Sequence, residues 1–330
     1  MYRAKFLLGA MMLSALLIAG CQNDNQILSP VDQSDELAGL AKTNAAGSNS
    51  SGQTLYGMTT SNKLLTFDSA DPSRIISRLR VTGFQPNEEL LAIDFRPATG
   101  KLYGLGSSSR VYVIDVQTAV ATPVGPGPFT PALEGNAFGF DFNPVVDRIR
   151  IVGENGQNLR VHPDLGAVVD SNLVTPGIQP DGRLAYANGD VNFNRRPLVV
   201  GAAYTNPDND PATGTTLYDI DGRRDVLAIQ NPPNSGTLNT VGRLCFNFEK
   251  LVGFDISRSG VAYATVKSDD DDDDDDKNSR SGAAYTSANG GNSRRGYSDL
   301  VTVDLATGRI TKIGNIGTSE PIRGLAVPVQ

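Results

Sequence analysis

The chain has 330 residues, and its 29 lysines and arginines against 36 aspartates and glutamates give a net charge of −7. Eight of these acids form one run at residues 269–276, so the rest of the chain is nearly neutral and offers no basic surface for nucleic acid. A single histidine, His162, excludes a metal site built from several histidines.

Residues 1–20 have the pattern of a bacterial secretion signal, with Arg3 and Lys5 before an apolar stretch at residues 6–19. That stretch is shorter than the roughly 20 residues that span a bilayer. Residues 18–21, Ile-Ala-Gly-Cys, resemble the lipobox of bacterial lipoproteins. The resemblance implies that Cys21 receives a diacylglycerol and an acyl chain such as palmitate on its new amine. We therefore expect a protein of the cell envelope, lipid-anchored to a bacterial membrane. The outer membrane is expected in a Gram-negative cell, because Gln22 and not aspartate follows the cysteine.

Residues 21–53 hold this cysteine and a polar segment rich in Ser, Asn, Gly and Ala, which is typical of a flexible tether. A folded domain is expected over residues 54–330. The other cysteine is Cys245, which would have no disulfide partner if Cys21 is acylated. Its position between Leu244 and Phe246 predicts a small, buried, apolar side chain.

An alternating apolar run that ends in an acidic residue and a turn recurs along this domain. The ends of four copies are Asp68, Asp115, Asp221 and Asp304, and His162 holds the acidic place in a fifth. Asp68, Asp115 and His162 follow one another at equal intervals of 47 residues. An aspartate at a strand end can accept bonds from amides two residues on, so these residues are interpreted as turn formers. Self-similarity at this period is typical of a propeller or a solenoid.

Short strands separated by turns follow in chain order. The first full repeat is predicted at residues 90–95, 102–105, 110–115 and 118–124. The second is predicted at 138–142, 148–152 and 159–162, with Asn155-Gly156 as a hairpin signal. In the third, at 184–188, 198–205, 216–221 and 226–230, either Tyr186 or Tyr204 could occupy the inner strand. The fourth is predicted at 251–256, 261–266, 299–304 and 310–313.

The two ends of the domain complete each other. Residues 322–328 have the pattern of an inner strand, and residues 55–57 have the pattern of a second strand. Their pairing would complete one more blade. The sequence therefore predicts an all-β fold, a β-propeller of five four-stranded blades closed by the N- and C-terminal strands, with six blades as the alternative.

Five segments, at residues 90–105, 138–152, 184–192, 203–206 and 216–242, together resemble the bacterial domain-of-unknown-function family 4394. The resemblance covers about residues 52–330. It implies a secreted or surface protein with propeller-like repeats, and it supplies no activity and no catalytic residues. The aspartate run in the fourth repeat departs from the family pattern.

Asp94, Asp141 and Asp255 occupy the same place in three inner strands. One interpretation is a ring of carboxylates in a central cavity, where a pair could act as acid and as base or nucleophile in glycan hydrolysis. The other is that each aspartate lies between two blades and accepts backbone hydrogen bonds. A catalytic site is asymmetric, whereas a structural solution repeats, so the repetition favours the structural role.

Oxygen-rich loops are weak metal candidates. Asp208 and Asp210 lie in one loop and Asp190 in another, and such ligands suit calcium. Their spacing does not match a twelve-residue calcium loop, so no metal or other cofactor is predicted. The acidic run lies in an insertion at about residues 268–295, which is predicted to be disordered because adjacent carboxylates repel one another.

These features favour a lipid-anchored, non-catalytic binding or scaffolding module. A carboxylate-dependent hydrolase acting on glycans and a purely structural surface lipoprotein are the alternatives. The expected partners are the membrane, through the anchor, and an unknown protein or glycan that contacts loops at one end of the propeller. The domain is expected to be monomeric.

Overall fold

Twenty-one β-strands in five sheets make up the described part of the computed structural model, which comprises residues 52–208, 210–245, 252–267 and 298–329. The predicted signal, residues 21–51 of the predicted tether and the whole predicted acidic insertion lie outside these residues, so the prediction that the insertion is disordered lies outside them as well. Within them the one helical element is a short 3-10 turn at Pro233–Ser235. No helix in the described segments is both long enough and apolar enough to cross a membrane.

Each sheet is one blade, and its strands are antiparallel neighbours with one exception described below. The closing blade contains β1 (Thr54–Thr59), β2 (Lys63–Asp68) and β3 (Asp71–Arg80). The first blade is β4 (Leu90–Arg96), β5 (Lys101–Gly106), β6 (Arg110–Ile114) and β7 (Ala121–Val124). The second is β8 (Phe138–Asn143), β9 (Arg148–Gly153), β10 (Asn158–His162) and β11 (Ala167–Val168). The third contains β12 (Ala185–Tyr186), β13 (Val199–Tyr204), β14 (Leu217–Asp221), β15 (Val226–Gln230) and β16 (Thr237–Arg243). The fourth is β17 (Phe254–Ile256), β18 (Ala262–Lys267), β19 (Ser298–Val303) and β20 (Ile310–Asn315). The final strand, β21 (Ile322–Ala326), belongs to the closing blade.

The closing blade joins the two ends of the domain. β21 is its inner strand and pairs with β1, with Tyr56 opposite Ala326 and Gly57 opposite Leu325. The predicted five-bladed, all-β propeller is therefore confirmed, including its closure by the N- and C-terminal strands. The edge of each inner strand faces the inner strands of the other blades around the axis. Only the outer strand of each blade therefore has an edge that is open to solvent.

The third blade shows which of the two candidate tyrosines lies in the inner strand. Tyr204 ends the inner strand β13, whereas Tyr186 lies at the outside of the blade in β12. β12 pairs in parallel with the outer strand β16, as a fifth strand of this sheet. The Ala-Tyr pattern occurs at both places, so local sequence could not separate them.

The apolar core consists of five clusters, one at each interface between neighbouring blades. For example, Phe140 and Ile149 of the second blade pack with Tyr103 and Leu105 of the first. Alternation along each strand places apolar side chains on both faces of a blade, and each face is covered by the next blade. Stability therefore depends on neighbouring blades and not on single sheets.

Small residues bring the inner strands together at the axis. Ala92, Gly139, Gly201, Gly253 and Gly324 stand at corresponding positions and line the same space. A Cβ added to Gly139 would lie 2.5 Å from the backbone nitrogen of Ala202, and one added to Gly253 would lie 2.6 Å from that of Leu325. The cavity left at the axis is about 10 Å³, which is room for one water molecule at most.

The antiparallel order also fixes which loops meet. The inner strands finish at one end of the propeller, which we call the upper end. In each blade the turn after the inner strand and the turn between the third and outer strands lie at this end, because antiparallel strands alternate in direction. Asn143, at the end of β8, and Asn234, between β15 and β16, are therefore at the upper end.

Candidate functional site

Three carboxylates converge at the axis, close to the upper end. Asp94, Asp141 and Asp255 lie two residues before the ends of β4 and β8 and within β17, respectively. All three are buried, and one carboxylate oxygen from each lies within 4.8 Å of the others. Ala203 and Ala326 stand at the corresponding positions of the third and closing blades. The repeat therefore supplies three acids, and the propeller geometry makes them neighbours.

The three carboxylates accept one inward-facing backbone N–H from every blade. Asp94 accepts the N–H of Phe142 in the next blade at 2.8 Å, and Asp141 accepts that of Tyr204 at 3.0 Å. Asp255 accepts that of Val327 at 2.6 Å. The closing and third blades have alanine in place of the aspartate, so they offer no carboxylate to the blade that comes next. In those next blades the N–H groups of Phe95 and Ile256 donate instead to Asp94 at 2.6 Å and to Asp255 at 2.5 Å. Each aspartate therefore binds the backbone of the next blade, and Asp94 and Asp255 also accept the following N–H of their own strand.

Burial raises the pKa of all three acids. The pKa values of Asp94 and Asp141 lie well above the ordinary value, first because burial disfavours the charged form and second because the neighbouring carboxylates repel one another. Burial also raises the pKa of Asp255 to about 7. Backbone N–H bonds oppose these shifts without reversing them. The site therefore retains protons to a higher pH than isolated aspartates do.

This centre has no access for a substrate. The adjoining axial cavity of about 10 Å³ cannot hold a sugar ring, and the oxygens lie closer together than the ~5 Å or more that separates glycosidase carboxylates. Its donor set of three oxygens suits a hard cation chemically. Calcium takes about six to eight oxygens, however, and the cavity has no room for the waters that would complete the shell.

The strand-ending residues make local turns. One oxygen of each aspartate accepts backbone N–H groups two or three residues on: Ala70 for Asp68, Gln117 and Thr118 for Asp115, Arg223 and Arg224 for Asp221, and Ala306 and Thr307 for Asp304. The second oxygen of Asp221 also accepts the hydroxyl of Tyr186 at 2.6 Å. His162 does the same through Nδ1, which accepts the N–H of Asp164 at 3.2 Å. None of these residues joins the carboxylate cluster at the axis.

The weak metal candidates stay apart. Asp208 accepts the N–H of Asp210, and Asp210 accepts that of Ala212, each at 2.9 Å, as in ordinary turns. Asp190 accepts the N–H and the hydroxyl of Thr240 at 2.6 and 2.8 Å, so it anchors its loop to β16. Among the described residues, none of the three belongs to a group of carboxylates close enough to share a metal ion.

A larger cavity opens at the upper end between the second and third blades. Its volume is about 420 Å³. We call it the arginine cavity, because three of its lining residues are Arg148, Arg150 and Arg160. The other lining residues are Asn143, Val146, Val169, Tyr204, Pro233 and Asn234.

Arg150 is the buried centre of this cavity, with 2% of its side chain exposed. Its guanidinium donates to the Asp181 carboxylate at 2.6 Å and to the side-chain oxygens of Asn158 and Asn234, both at 2.7 Å. Arg160 stands directly opposite Arg150 on the next strand and binds the same Asp181 with two hydrogen bonds of 2.8 Å. Like charges directly opposite each other repel, and the shared carboxylate relieves that repulsion.

Asp219 lies close to this network without joining it. Its side chain is fully buried on β14, and neither carboxylate oxygen has a hydrogen-bond partner among the described residues. Burial raises its pKa well above the ordinary value, while the positive charge of Arg150 acts in the opposite direction. An unpaired buried carboxylate is costly when ionised, so this group binds a proton more readily than a free aspartate does.

Sequence reasoning did not single out the arginine cavity. A signal was present: Arg148 and Arg150 flank Ile149 in a strand of a buried blade, where alternation places two positive charges on one face. The partners Asp181 and Asn234 come from loops of two different blades, and no local pattern connects them.

The expectation for Cys245 was wrong. Cys245 is exposed, has a positive φ of 57° and is disulfide-bonded. Its disulfide partner lies outside the described residues. Cys245 lies two residues beyond the end of β16, so its apolar neighbours in the sequence do not mark a buried strand position.

The comparisons with known proteins give a family and no activity. No curated protein matches the chain. A solved structure from Bacteroides thetaiotaomicron, described as a structural genomics protein of unknown function, is 14% identical with a TM-score of 0.43 over 85% of this chain and 66% of that one. This chain thus spans slightly less than two thirds of that protein. The model of the family described as Domain of unknown function (DUF4394) matches residues 63–326, as the quoted segments indicated, and the chain belongs to this family.

Proposed function

We propose that this chain is a lipid-anchored β-propeller of the bacterial cell envelope that binds a small ligand without catalysis, in the arginine cavity. The observation that carries the proposal is the contrast between two spaces. The axis is closed to about 10 Å³, whereas the arginine cavity has about 420 Å³ and several polar side chains directed at it. That volume lies in the range of about 300–1,000 Å³ typical of small-molecule sites.

The three axial aspartates support a non-catalytic role. Hydrolysis by a carboxylate pair needs a substrate between the two groups, and here their oxygens bind backbone N–H groups of neighbouring blades. The alternative of a glycan hydrolase would need a second set of acids at the cavity. Its lining residues contain no aspartate or glutamate.

The membrane anchor is supported by the lipobox-like residues 18–21. A diacylglycerol on the Cys21 sulfur would increase the mass of the isolated protein, so mass spectrometry tests the lipidation.

The binding site can be tested by filling the cavity. Val146 lines it and is 54% exposed, so Val146→Trp would occupy the space and leave the arginine network in place. The control is Val120→Trp, because Val120 is 45% exposed and lines a cavity of about 410 Å³ on the first blade.

The full chain and both variants would be screened by thermal shift against mono- and oligosaccharides and short peptides. Ligands that raise the melting temperature of the wild type and of Val120→Trp, but not of Val146→Trp, support the proposal. Hits that bind Val146→Trp equally well, or a sugar that is hydrolysed, would overturn it.

A further inference from the structure

We infer that the arginine cavity recognises its ligand through a carboxylate or phosphate group on that ligand. This inference rests on the proposed function, and it adds the chemical class of the ligand. It follows from the charge of the cavity, from the hydrogen-bond donors that the fold leaves unused, and from the character of the walls.

The cavity carries more positive charge than its structure neutralises. Three arginines line it, and no acidic residue does. Among the described residues, the one carboxylate bound to these arginines is Asp181, which is shared by Arg150 and Arg160. Two positive charges therefore remain, and ionisation of the buried Asp219 would remove only one of them.

Arg148 has the most N–H groups available to bind a ligand. It forms no ion pair within the described segments, and its Nη1 donates to the backbone oxygens of Val146 and Asp147 at 3.3 and 2.8 Å. The carboxylate of Asp164, which Arg148 influences at longer range, is already bound by Arg96 at 2.5 Å. The Nε and Nη2 groups of Arg148 are thus left to bind an incoming group.

Folding alone does not explain this arrangement. Excess positive charge in a partly enclosed space is unfavourable, because the guanidinium groups lose water and repel one another. An anion that binds between them removes this cost. The planar guanidinium fork also matches the two oxygens of a carboxylate or phosphate.

The walls indicate the rest of the ligand. Val146, Val169 and Pro233 line the cavity beside the arginines, so part of its surface is apolar. Tyr204 contributes a ring whose hydroxyl faces the Nε of Arg150 at 3.4 Å. A small molecule with one anionic group and an uncharged body, such as an acidic or phosphorylated sugar, matches both surfaces.

The test compares three probes that share one sugar ring: D-glucuronate, D-glucose 6-phosphate and D-glucose. Binding would be measured by calorimetry on the full chain in detergent, at concentrations up to about 10 mM. The variants are Arg148→Gln, Arg148→Lys and the control Arg78→Gln. Arg78 is a suitable control because it is exposed and lies on the outer strand β3, where its side chain donates to the backbone oxygen of Gly317.

We expect glucuronate or glucose 6-phosphate to bind at least about tenfold more tightly than glucose, and the better of the two identifies the group. Arg148→Gln should weaken that binding about tenfold or more, Arg148→Lys should weaken it less, and Arg78→Gln should leave it unchanged. Added salt should weaken it as well.

Failure of both anions to bind, or equal binding of the better anion to Arg148→Gln, would overturn the inference. If glucose binds as tightly as the anions and Val146→Trp blocks all three, the cavity is a binding site but not an anion site. In that case the proposed function stands and this inference fails.

Discussion

Asp94 and Asp255 each accept two backbone N–H groups at the axis, whereas Asp141 accepts one. The inner edge of a propeller blade has no neighbouring strand, so its inward N–H groups need other acceptors. Three carboxylates supply five acceptor positions, one for each blade. The close approach of the acids is the consequence of serving all five blades from one point.

The first prediction concerns pH. Since the pKa values of the three aspartates are higher in the folded than in the unfolded protein, the folded state retains protons that the unfolded state loses. The contribution of these protons to the free energy of unfolding is complete below the ordinary pKa of 3.8. It is lost as the pH rises towards the pKa of the folded state, which for Asp255 is about 7. We expect the free energy of unfolding to fall between pH 5 and pH 8, by up to about 1.4 kcal/mol per pH unit for each proton.

Asp141→Asn provides the comparison for this prediction. Its side-chain oxygen can still accept the N–H of Tyr204, and one charge is removed from the cluster. The variant should show a smaller change in melting temperature across the same pH range. A wild-type protein that becomes more stable towards pH 8, or that calcium stabilises only when Asp141 is present, would show that the three carboxylates hold a cation instead of protons.

The second prediction concerns Asp181, whose side chain is 1% exposed and bridges Arg150 and Arg160. Asp181→Asn would leave a buried guanidinium without its ionic partner, and we expect a loss of about 3 kcal/mol in urea unfolding. The control is Glu134→Gln, which breaks the exposed pair with Arg183 and should leave stability nearly unchanged. Equal effects of the two substitutions would contradict the importance of the buried bridge.

At the level of single residues, the sequence predicted the strand in which a side chain lies better than it predicted the side chains that it contacts. It placed Asp94, Asp141 and Asp255 in inner strands, because strand periodicity is local. Their convergence depends on how closely the inner strands approach, which no local pattern states. The partners of Arg150 lie in loops 31 and 84 residues away, so the cavity network required the folded structure.

At the level of elements, the packing of the inner strands depends on their small residues. Gly139 on β8 faces β13, and a Cβ there would lie 2.5 Å from the nitrogen of Ala202. We predict that Gly139→Ala separates the second and third blades and costs about 1–3 kcal/mol in chemical unfolding. Gly127→Ala is the control, because nothing lies within 4 Å of its added Cβ. A Gly139→Ala protein as stable as this control would show that the inner strands can shift without cost.

Most strands could be predicted from the sequence, because alternation and turn residues mark them locally. The Asn155-Gly156 hairpin, for example, joins β9 and β10 with Asn158 opposite Val152. The sequence could not predict the parallel pairing of β12 with β16. Ala185 and Tyr186 continue the repeat pattern, and only the competition with Ala203 and Tyr204 for the inner strand displaces them to the outside.

At the level of the whole molecule, the equal spacing of 47 residues between Asp68, Asp115 and His162 predicted a propeller or a solenoid, and the complementary strand patterns at the two ends of the domain favoured five blades over six. A repeated unit must bury its faces against copies of itself, so the period carries information about the complete ring. The ligand site could not be predicted in this way. It arises where the second and third blades differ from the repeat.

The location of the protein gives the last prediction. Cys21→Ser removes the sulfur that would receive the lipid, so the variant should leave the membrane fraction and appear as a soluble or unprocessed chain. Membrane and soluble fractions would be compared by immunoblot after a salt wash, with Cys245→Ser as the control for loss of a cysteine. Persistence of Cys21→Ser in the washed membrane fraction would mean that the protein is held there by something other than this lipid.

The pairing of β1 with β21 also determines when the protein can fold during its synthesis. β1, β2 and β3 emerge first, but their sheet has no inner strand until β21 begins, 242 residues after the end of β3. The first-made strands therefore wait, with their apolar faces exposed, while the later blades are completed. A chain that crosses a membrane as an extended thread must not fold early, so in the envelope protein proposed above this delay would keep the chain competent for transport.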